Sequence, residues 1–207
     1  MARATKSPTS KRSSRTRKSS AKSSTPDIPN YHGALKFLHD HLDVERVRSS
    51  RVDESAFSLD RMRALMKALD DPQEELRCVH VGGTNGKGSV IAMLESCLRE
   101  CGYTVGVYTS PHLTDIRERI HIGDTIISHH AFTQLMKRVA EASVSIPKKH
   151  GQCTYFEIVT ALGMLHFAEQ AVDLALIEVG MGGRLDSTNI MTPEVSVVTR
   201  IDLDHTH

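Results

Sequence analysis

The chain has 207 residues, 39% hydrophobic and 25% charged, with a formal net charge of +1 at pH 7. With that balance the chain as a whole gives no nucleic-acid signal, and no apolar run approaches the roughly 20 residues that span a bilayer. Four cysteines with no Cys-x-x-Cys pair exclude a disulfide scaffold and a zinc ribbon, and point to a reducing, cytoplasmic setting.

From Met1 to about Pro26 the chain is Ser, Thr, Lys and Arg, and eight basic residues pass before the first acid, Asp27. Such a segment cannot bury enough apolar surface to offset its ordering entropy, so residues 1–27 are expected to form a disordered basic tail. A transit peptide or a polyanion-binding arm are the sharper alternatives, although the segment lacks the apolar face of an amphipathic transit helix. Folded structure is expected from Ile28 onward. Leu35, Leu38 and Leu42 have helical spacing, and a second helix is expected over Ser58–Leu69, with Ser58 as its N-cap and Asp70-Asp71-Pro72 as its stop. The polar stretch from Asp43 to Phe57 between them reads as a loop.

The run Cys78-Val79-His80-Val81 reads as a strand, and Val90–Leu98 as a helix. Between them stands Gly82-Gly83-Thr84-Asn85-Gly86-Lys87-Gly88-Ser89. Strand, glycine-rich turn and helix form a phosphate cradle, because glycines let backbone N–H groups turn toward an anion and the helix start adds positive potential. Lys87 can reach terminal phosphates, and Thr84 or Ser89 can offer a hydroxyl to phosphate or Mg²⁺. Gly88, standing between Lys87 and Ser89, departs from the strict Gly-x-x-x-x-Gly-Lys-Ser/Thr spacing, and an ordinary glycine-rich turn is the alternative. Cys97 and Cys101, one helical turn apart, are expected to be core or half-buried thiols.

Further along, Tyr103–Tyr108 reads as a strand ending at Ser110-Pro111. Arg119–Ile122 and Thr125–Ile127 flank Gly123-Asp124 as a hairpin, expected to be an excursion from the main sheet. Helices are expected from Ser128 to about Ala142 and from Thr154 to about Gln170, the latter opened by a Thr154-x-x-Glu157 capping box. Val172–Val179 reads as a fully buried strand, Gly180–Arg184 as a second glycine-rich loop, and Val195–Ile201 as the last strand. Apolar strands alternating with helices give an α/β fold, a mostly parallel sheet covered on both faces.

Ligands of such sheets bind beyond the carboxyl ends of the strands. Four strands here end in reactive groups: Lys87, Ser110, Glu178, and the group Asp202, Asp204 and His205. Glu178 has the position of an acid that holds nucleotide-bound Mg²⁺, with a plain surface acid as the alternative. Spacing alone leaves Ser110 open between a Mg²⁺ ligand and a turn former, and physical chemistry prefers the oxygens of Asp202 or Asp204 to His205. His112, His121 and His150 read as structural. Arg184, Asp186 and Asn189 can bind a polar heterocycle or form a polar turn capped by Asp186.

Taken together, GTNGKGS (Gly83–Ser89), YTSPHL (Tyr108–Leu113), ERIHI (Glu118–Ile122), TYFE (Thr154–Glu157), EVGMGGRLDSTN (Glu178–Asn189) and LDHT (Leu203–Thr206) resemble the folylpolyglutamate synthase/dihydrofolate synthase family, within the Mur-ligase-like ATP-dependent amide ligases. The resemblance covers about Tyr31 to His207. It implies a P-loop NTPase-like fold, of which residues 28–207 are the N-terminal part. It also implies ATP- and Mg²⁺-dependent joining of L-glutamate to the carboxylate of dihydropteroate or a folate through an acyl phosphate. By the resemblance, Gly83, Thr84, Asn85, Gly86, Lys87, Gly88 and Ser89 bind ATP. Ser110, Glu178 and His205 hold Mg²⁺, and Lys87, Glu178 and His205 serve the chemistry. Thr154, Tyr155, Phe156 and Glu157, with Leu185, Asp186 and Ser187, match pterin-side segments.

Met181, Ser187 and Asp202 depart from residues usual in the family, and Asp202 adds negative charge near the metal. The chain stops before the family's carbamylated lysine and its C-terminal, glutamate-binding domain. The expectation is therefore a fragment without ligase activity of its own, with an open sheet edge, doubtful stability and, by family habit, a monomeric parent. Another phosphate-loop enzyme, such as a kinase or a peptidoglycan-precursor ligase, and a non-catalytic nucleotide-binding module are the competing readings.

Overall fold

The computed structural model describes residues 26–43 and 59–202. Residues 1–25, where the basic tail is expected, residues 44–58, which hold most of the expected loop and Ser58, and residues 203–207 with Asp204 and His205 lie outside the described residues. The elements are α1 (Tyr31–His39), α2 (Leu59–Lys67), β1 (Cys78–Gly82), α3 (Lys87–Glu100), β2 (Val105–Tyr108), β3 (Ile120–Ile122), β4 (Thr125–Ile126), α4 (His129–Ser145), α5 (Tyr155–Glu169), β5 (Leu174–Glu178) and β6 (Val195–Val198).

One six-stranded sheet runs in the order β4-β3-β2-β5-β1-β6. Strands β2, β5, β1 and β6 are parallel, and β3 and β4 add antiparallel. The hairpin is therefore part of the sheet and not an excursion from it: β3 pairs directly with β2, with Val107 opposite His121. The strands alternate between two cores, as a period of two requires. Val79, Val81, Val105, Val107 and Leu176 pack under Ile91 of α3. Cys78, Tyr108, Ala175 and Ile177 face the larger core under α5 and its helical neighbours. Helix α5 is buried at every residue from Tyr155 to Phe167. Such a helix is apolar all round because it lies between the sheet and a further layer of helices.

Several boundaries differ from the sequence reading. Tyr103 and Thr104 precede β2, where the Thr104 N–H is taken by the Asp173 carboxylate at 2.7 Å. Leu42 lies beyond α1 and is 48% exposed. Cys97 and Cys101 are exposed, not core or half-buried, because α3 turns that face to solvent; Cys78 and Cys153 are the buried thiols. The sheet is covered on both faces only at its centre. At β6, on the edge, Val195, Val198 and the following Ile201 are 53%, 68% and 74% exposed. Among the described residues no helix is long and apolar enough to cross a membrane.

Candidate functional site

The carboxyl ends of the parallel strands line up by register. Val81 stands beside Glu178, Tyr108 beside Ile177, and Gly82 beside Val198. Adjacent strands lie about 4.8 Å apart, so the loops that leave them share one rim.

The loop after β1 is built on backbone that L-residues avoid. Gly83 has φ +131° and Gly86, the N-cap of α3, has φ +86°. The loop is laced to the chain just after β6. Thr84 N–H donates to Arg200 O at 2.9 Å, and the Thr84 hydroxyl donates to Asp202 O and accepts from Asp202 N–H, each at 3.0 Å. The Thr199 hydroxyl lies 2.8 Å from Asn85 O and 3.2 Å from Gly82 O. In this arrangement Thr84 and Thr199 use their hydroxyls to hold the loop's shape. Ser89 is exposed in the first turn of α3, and the Lys87 ammonium folds across the loop to Gly83 O at 2.9 Å. Asp202 pairs its carboxylate with Arg200 at 2.9 Å.

Glu178, 5% exposed at the end of β5, accepts the backbone N–H of Ser110 at 3.1 Å. The Ser110–Pro111 peptide is cis. Two residues 68 positions apart are thereby brought together beside the glycine loop. Their oxygens, a hydroxyl and a carboxylate, are the hard donors that Mg²⁺ takes. His205 lies outside the described residues.

The second glycine loop is organised by Asp186. Its buried carboxylate accepts Met181 N–H at 2.8 Å, Thr188 N–H at 2.9 Å and the Thr188 hydroxyl at 2.5 Å. Burial nonetheless raises its pKa above the usual aspartate value, because those bonds only partly replace lost hydration. Thr188 also meets His80 Nε2 at 2.7 Å. With the hydroxyl donated to Asp186, Nε2 carries the proton in that bond, and burial lowers the His80 pKa. Leu185 is 48% exposed and Ser187 partly buried. A cleft of ≈ 590 Å³ separates the two glycine loops and is floored by β6; His80, Lys87, Arg184, Asn189 and Asp202 line it. His80 escapes the sequence reading because one polar residue in an apolar strand gives no sign of which face it takes.

Thr154 and Glu157 form the expected capping box, with both reciprocal bonds present. The Glu157 carboxylate also pairs with Arg61 of α2 at 2.7 Å, both side chains being buried. Phe156 lies against the second glycine loop: a Cβ placed on Gly180 would stand 2.4 Å from its Cζ. Tyr155 is 1% exposed and carries the Arg119 guanidinium 5.7 Å from its ring centre. His112 Nδ1 accepts from Arg119 Nε at 2.9 Å, and His121 Nδ1 lies 2.9 Å from Gly123 O. His150 enters through its carbonyl, 3.2 Å from Arg61.

No protein-family model matches the chain. It is 44% identical over 149 residues to the dihydrofolate synthase/folylpolyglutamate synthase of Bacillus subtilis, covering 71% of this chain and 35% of that protein. It is 43% identical over 178 residues to the folylpolyglutamate synthase of Lacticaseibacillus casei, covering 85% and 40%. Among solved structures, a folylpolyglutamate synthase complex with AMPPCP and folate superposes with a TM-score of 0.75 at 36% identity, covering 86% of this chain and 42% of that one. The chain thus spans about two-fifths or less of the length of these curated relatives.

Proposed function

From the premise that this chain is a relative of the folylpolyglutamate/dihydrofolate synthases over about 85% of its length, we propose that it is the N-terminal, ATP-binding part of an ATP-dependent ligase. In a protein of the relatives' full length, that ligase joins L-glutamate to the carboxylate of dihydropteroate or a folate. The observation that carries this reading is the Ser110 N–H on the Glu178 carboxylate at 3.1 Å, at a strand end registered beside the glycine loop.

In this reading the N–H groups of Gly86–Ser89 and the Lys87 ammonium hold the phosphates, while the N–H groups of Thr84 and Asn85, both directed at Arg200 O, hold the loop in shape. Lys87 exchanges the Gly83 carbonyl for a phosphate oxygen, and the glycines at 86 and 88 leave room for close approach. Ser110 and Glu178, with His205 assigned by resemblance, hold Mg²⁺, which when bound screens the charge of the triphosphate. The substrate carboxylate attacks the γ-phosphorus, ADP leaves, and the glutamate amine displaces phosphate from the acyl phosphate. The chain's contribution is orientation and fixed positive potential, the two terms that dominate such transfers. Thr154–Glu157 and Leu185–Ser187 border the pterin side. Asp186, Thr154 and Glu157 act there by holding backbone, and exposed Leu185 by contact. A protein of the relatives' length with this activity would work as a cytoplasmic monomer.

The test is transfer of labelled L-glutamate by a protein of the relatives' length, with Mg-ATP and either dihydropteroate or tetrahydrofolate. Glutamylation of a pterin acceptor is expected, with Lys87→Ala reducing it by roughly a hundredfold or more. Transfer to a muramyl acceptor alone, or no transfer, contradicts the reading.

A further inference from the structure

Arg119 is 2% exposed, and arginine is rarely buried unless its guanidinium is held. It ends the 3-10 turn Ile116–Arg119 that leads into β3. Its Nε donates to His112 Nδ1 at 2.9 Å, its Cζ lies 5.7 Å from the Tyr155 ring centre, and its carbonyl accepts Thr109 N–H at 3.0 Å. The neighbouring Glu118 gathers the rest of the same loop. Its carboxylate accepts the N–H groups of Leu113 at 2.8 Å, Thr114 at 3.1 Å and Asp115 at 2.8 Å, and the Thr114 hydroxyl at 2.6 Å. Both flanks of Ser110 are therefore tied to two adjacent residues. On the far side, Tyr155 precedes Phe156, which lies against Gly180, two residues beyond Glu178, and Glu178 accepts the Ser110 N–H. Four contacts, Arg119 with His112, Arg119 with Tyr155, Phe156 with Gly180 and Glu178 with Ser110, joined by short stretches of chain, close a ring that returns to Ser110.

We propose that Arg119 is a positioning residue that fixes Ser110 for metal–nucleotide binding and ties it mechanically to the segment carrying Tyr155. The proposal rests on the reading of Ser110 and Glu178 as a Mg²⁺-nucleotide site. Arg119 acts through His112 and Tyr155. Lysine cannot take its place, since one ammonium lacks both the directed Nε–H and the flat face that stacks on a ring.

The experiment uses the chain with Arg119→Met, His112→Leu, the double variant, and His112→Asn, which keeps an acceptor near the Nδ1 position. Two quantities are measured: amide hydrogen exchange across residues 109–115, and the Mg²⁺ dependence of AMPPCP affinity. Arg119→Met and His112→Leu are expected to speed exchange at 109–115 by roughly ten- to a hundredfold, the span for losing a hydrogen bond to a charged group. Amides of β1 and α3 stay protected. Mg²⁺-dependent affinity falls by the same order, the double variant is no worse than the worse single one, and His112→Asn stays near wild type. Should Arg119→Met fail to fold, His112→Leu against His112→Asn carries the comparison. Unchanged exchange at 109–115, strictly additive losses, or wild-type binding whose Mg²⁺ dependence the variants leave intact overturns the role of Arg119. A wild-type chain that does not bind Mg·AMPPCP overturns instead the nucleotide-site reading, and with it the functional half of the proposal.

Discussion

Gly83→Ala is expected to damage the fold of the loop itself, whereas Gly88→Ala is expected to damage only what the loop can bind. At Gly83 the backbone sits at φ +131°, and an added Cβ would stand 2.0 Å from Thr199 Oγ1, 3.1 Å from Thr199 Cβ and 3.2 Å from Arg200 O. The backbone conformation costs of the order of 1–3 kcal/mol for an L-residue. Displacing Thr199 loses its hydrogen bond to Asn85 O or Gly82 O, for about another 1 kcal/mol. The sum, about 2–4 kcal/mol, corresponds to a fall in Tm of roughly 5–15 °C for a chain of this size. At Gly88 an added methyl would meet no atom within 4 Å, and φ is not positive. There alanine is worth up to about 1 kcal/mol of helix propensity, so Tm holds or rises while the methyl obstructs a phosphate. Calorimetric melts and AMPPCP titrations of both variants separate the two effects. Adding Thr199→Ala to Gly83→Ala removes the clash and recovers part of the lost Tm. A Gly83→Ala Tm within about 1 °C of wild type would refute the reasoning, since the strain and contact costs above cannot both be absent.

Gly180→Ala drives a methyl into the Phe156 ring and is expected to cost about 1–3 kcal/mol; urea melts should show Phe156→Leu relieving it, and equal loss with either residue at 156 rejects the contact. Ellman titration of the native chain should find Cys97 and Cys101 reacting fast. Cys78 and Cys153 should lag, because burial pushes their thiols up to about 11 and about 12. Asp115 is held at about 2, chiefly by its hydrogen bond from Arg117. Its folded value is depressed, so its contribution is present above the unfolded value near 4 and is lost as pH falls from about 4 through about 2. Melts across that window should fall less steeply for Asp115→Asn than for wild type, and parallel curves would contradict the pairing.

The glycine loop, the strand ends and the capping box are legible in the sequence because each is local: a turn composition, an apolar run, a cap with its partner one helical turn away. What stays hidden depends on contacts distant in sequence. Nothing within the α2 segment announces that Arg61 lies buried against Glu157, 96 positions away. Loop composition points the Thr84 hydroxyl toward phosphate, but the chain after β6 claims it, and no spacing within the loop announces Asp202 as its partner. Sequence leaves Asp186 open between turn cap and ligand. Its carboxylate is occupied by Met181 and Thr188, so a substrate role is exercised through the loop it holds. The hairpin turn is visible at Gly123-Asp124, but its place in the sheet requires knowing that β3 pairs back onto β2.

The central claim is spatial: the phosphate tail of ATP and its divalent ion meet at the rim shared by the glycine loop, Ser110 and Glu178. Mn²⁺ accepts the same oxygen donors as Mg²⁺, so a complex of the chain with Mn·AMPPCP reports the position of the ion by paramagnetic broadening of backbone amides. Strong broadening is expected at Gly83–Ser89, Ser110 and Val179, with α4 and the β3–β4 hairpin turn spared. Broadening centred on any other part of the chain, or none at those residues while AMPPCP is bound, would contradict the account.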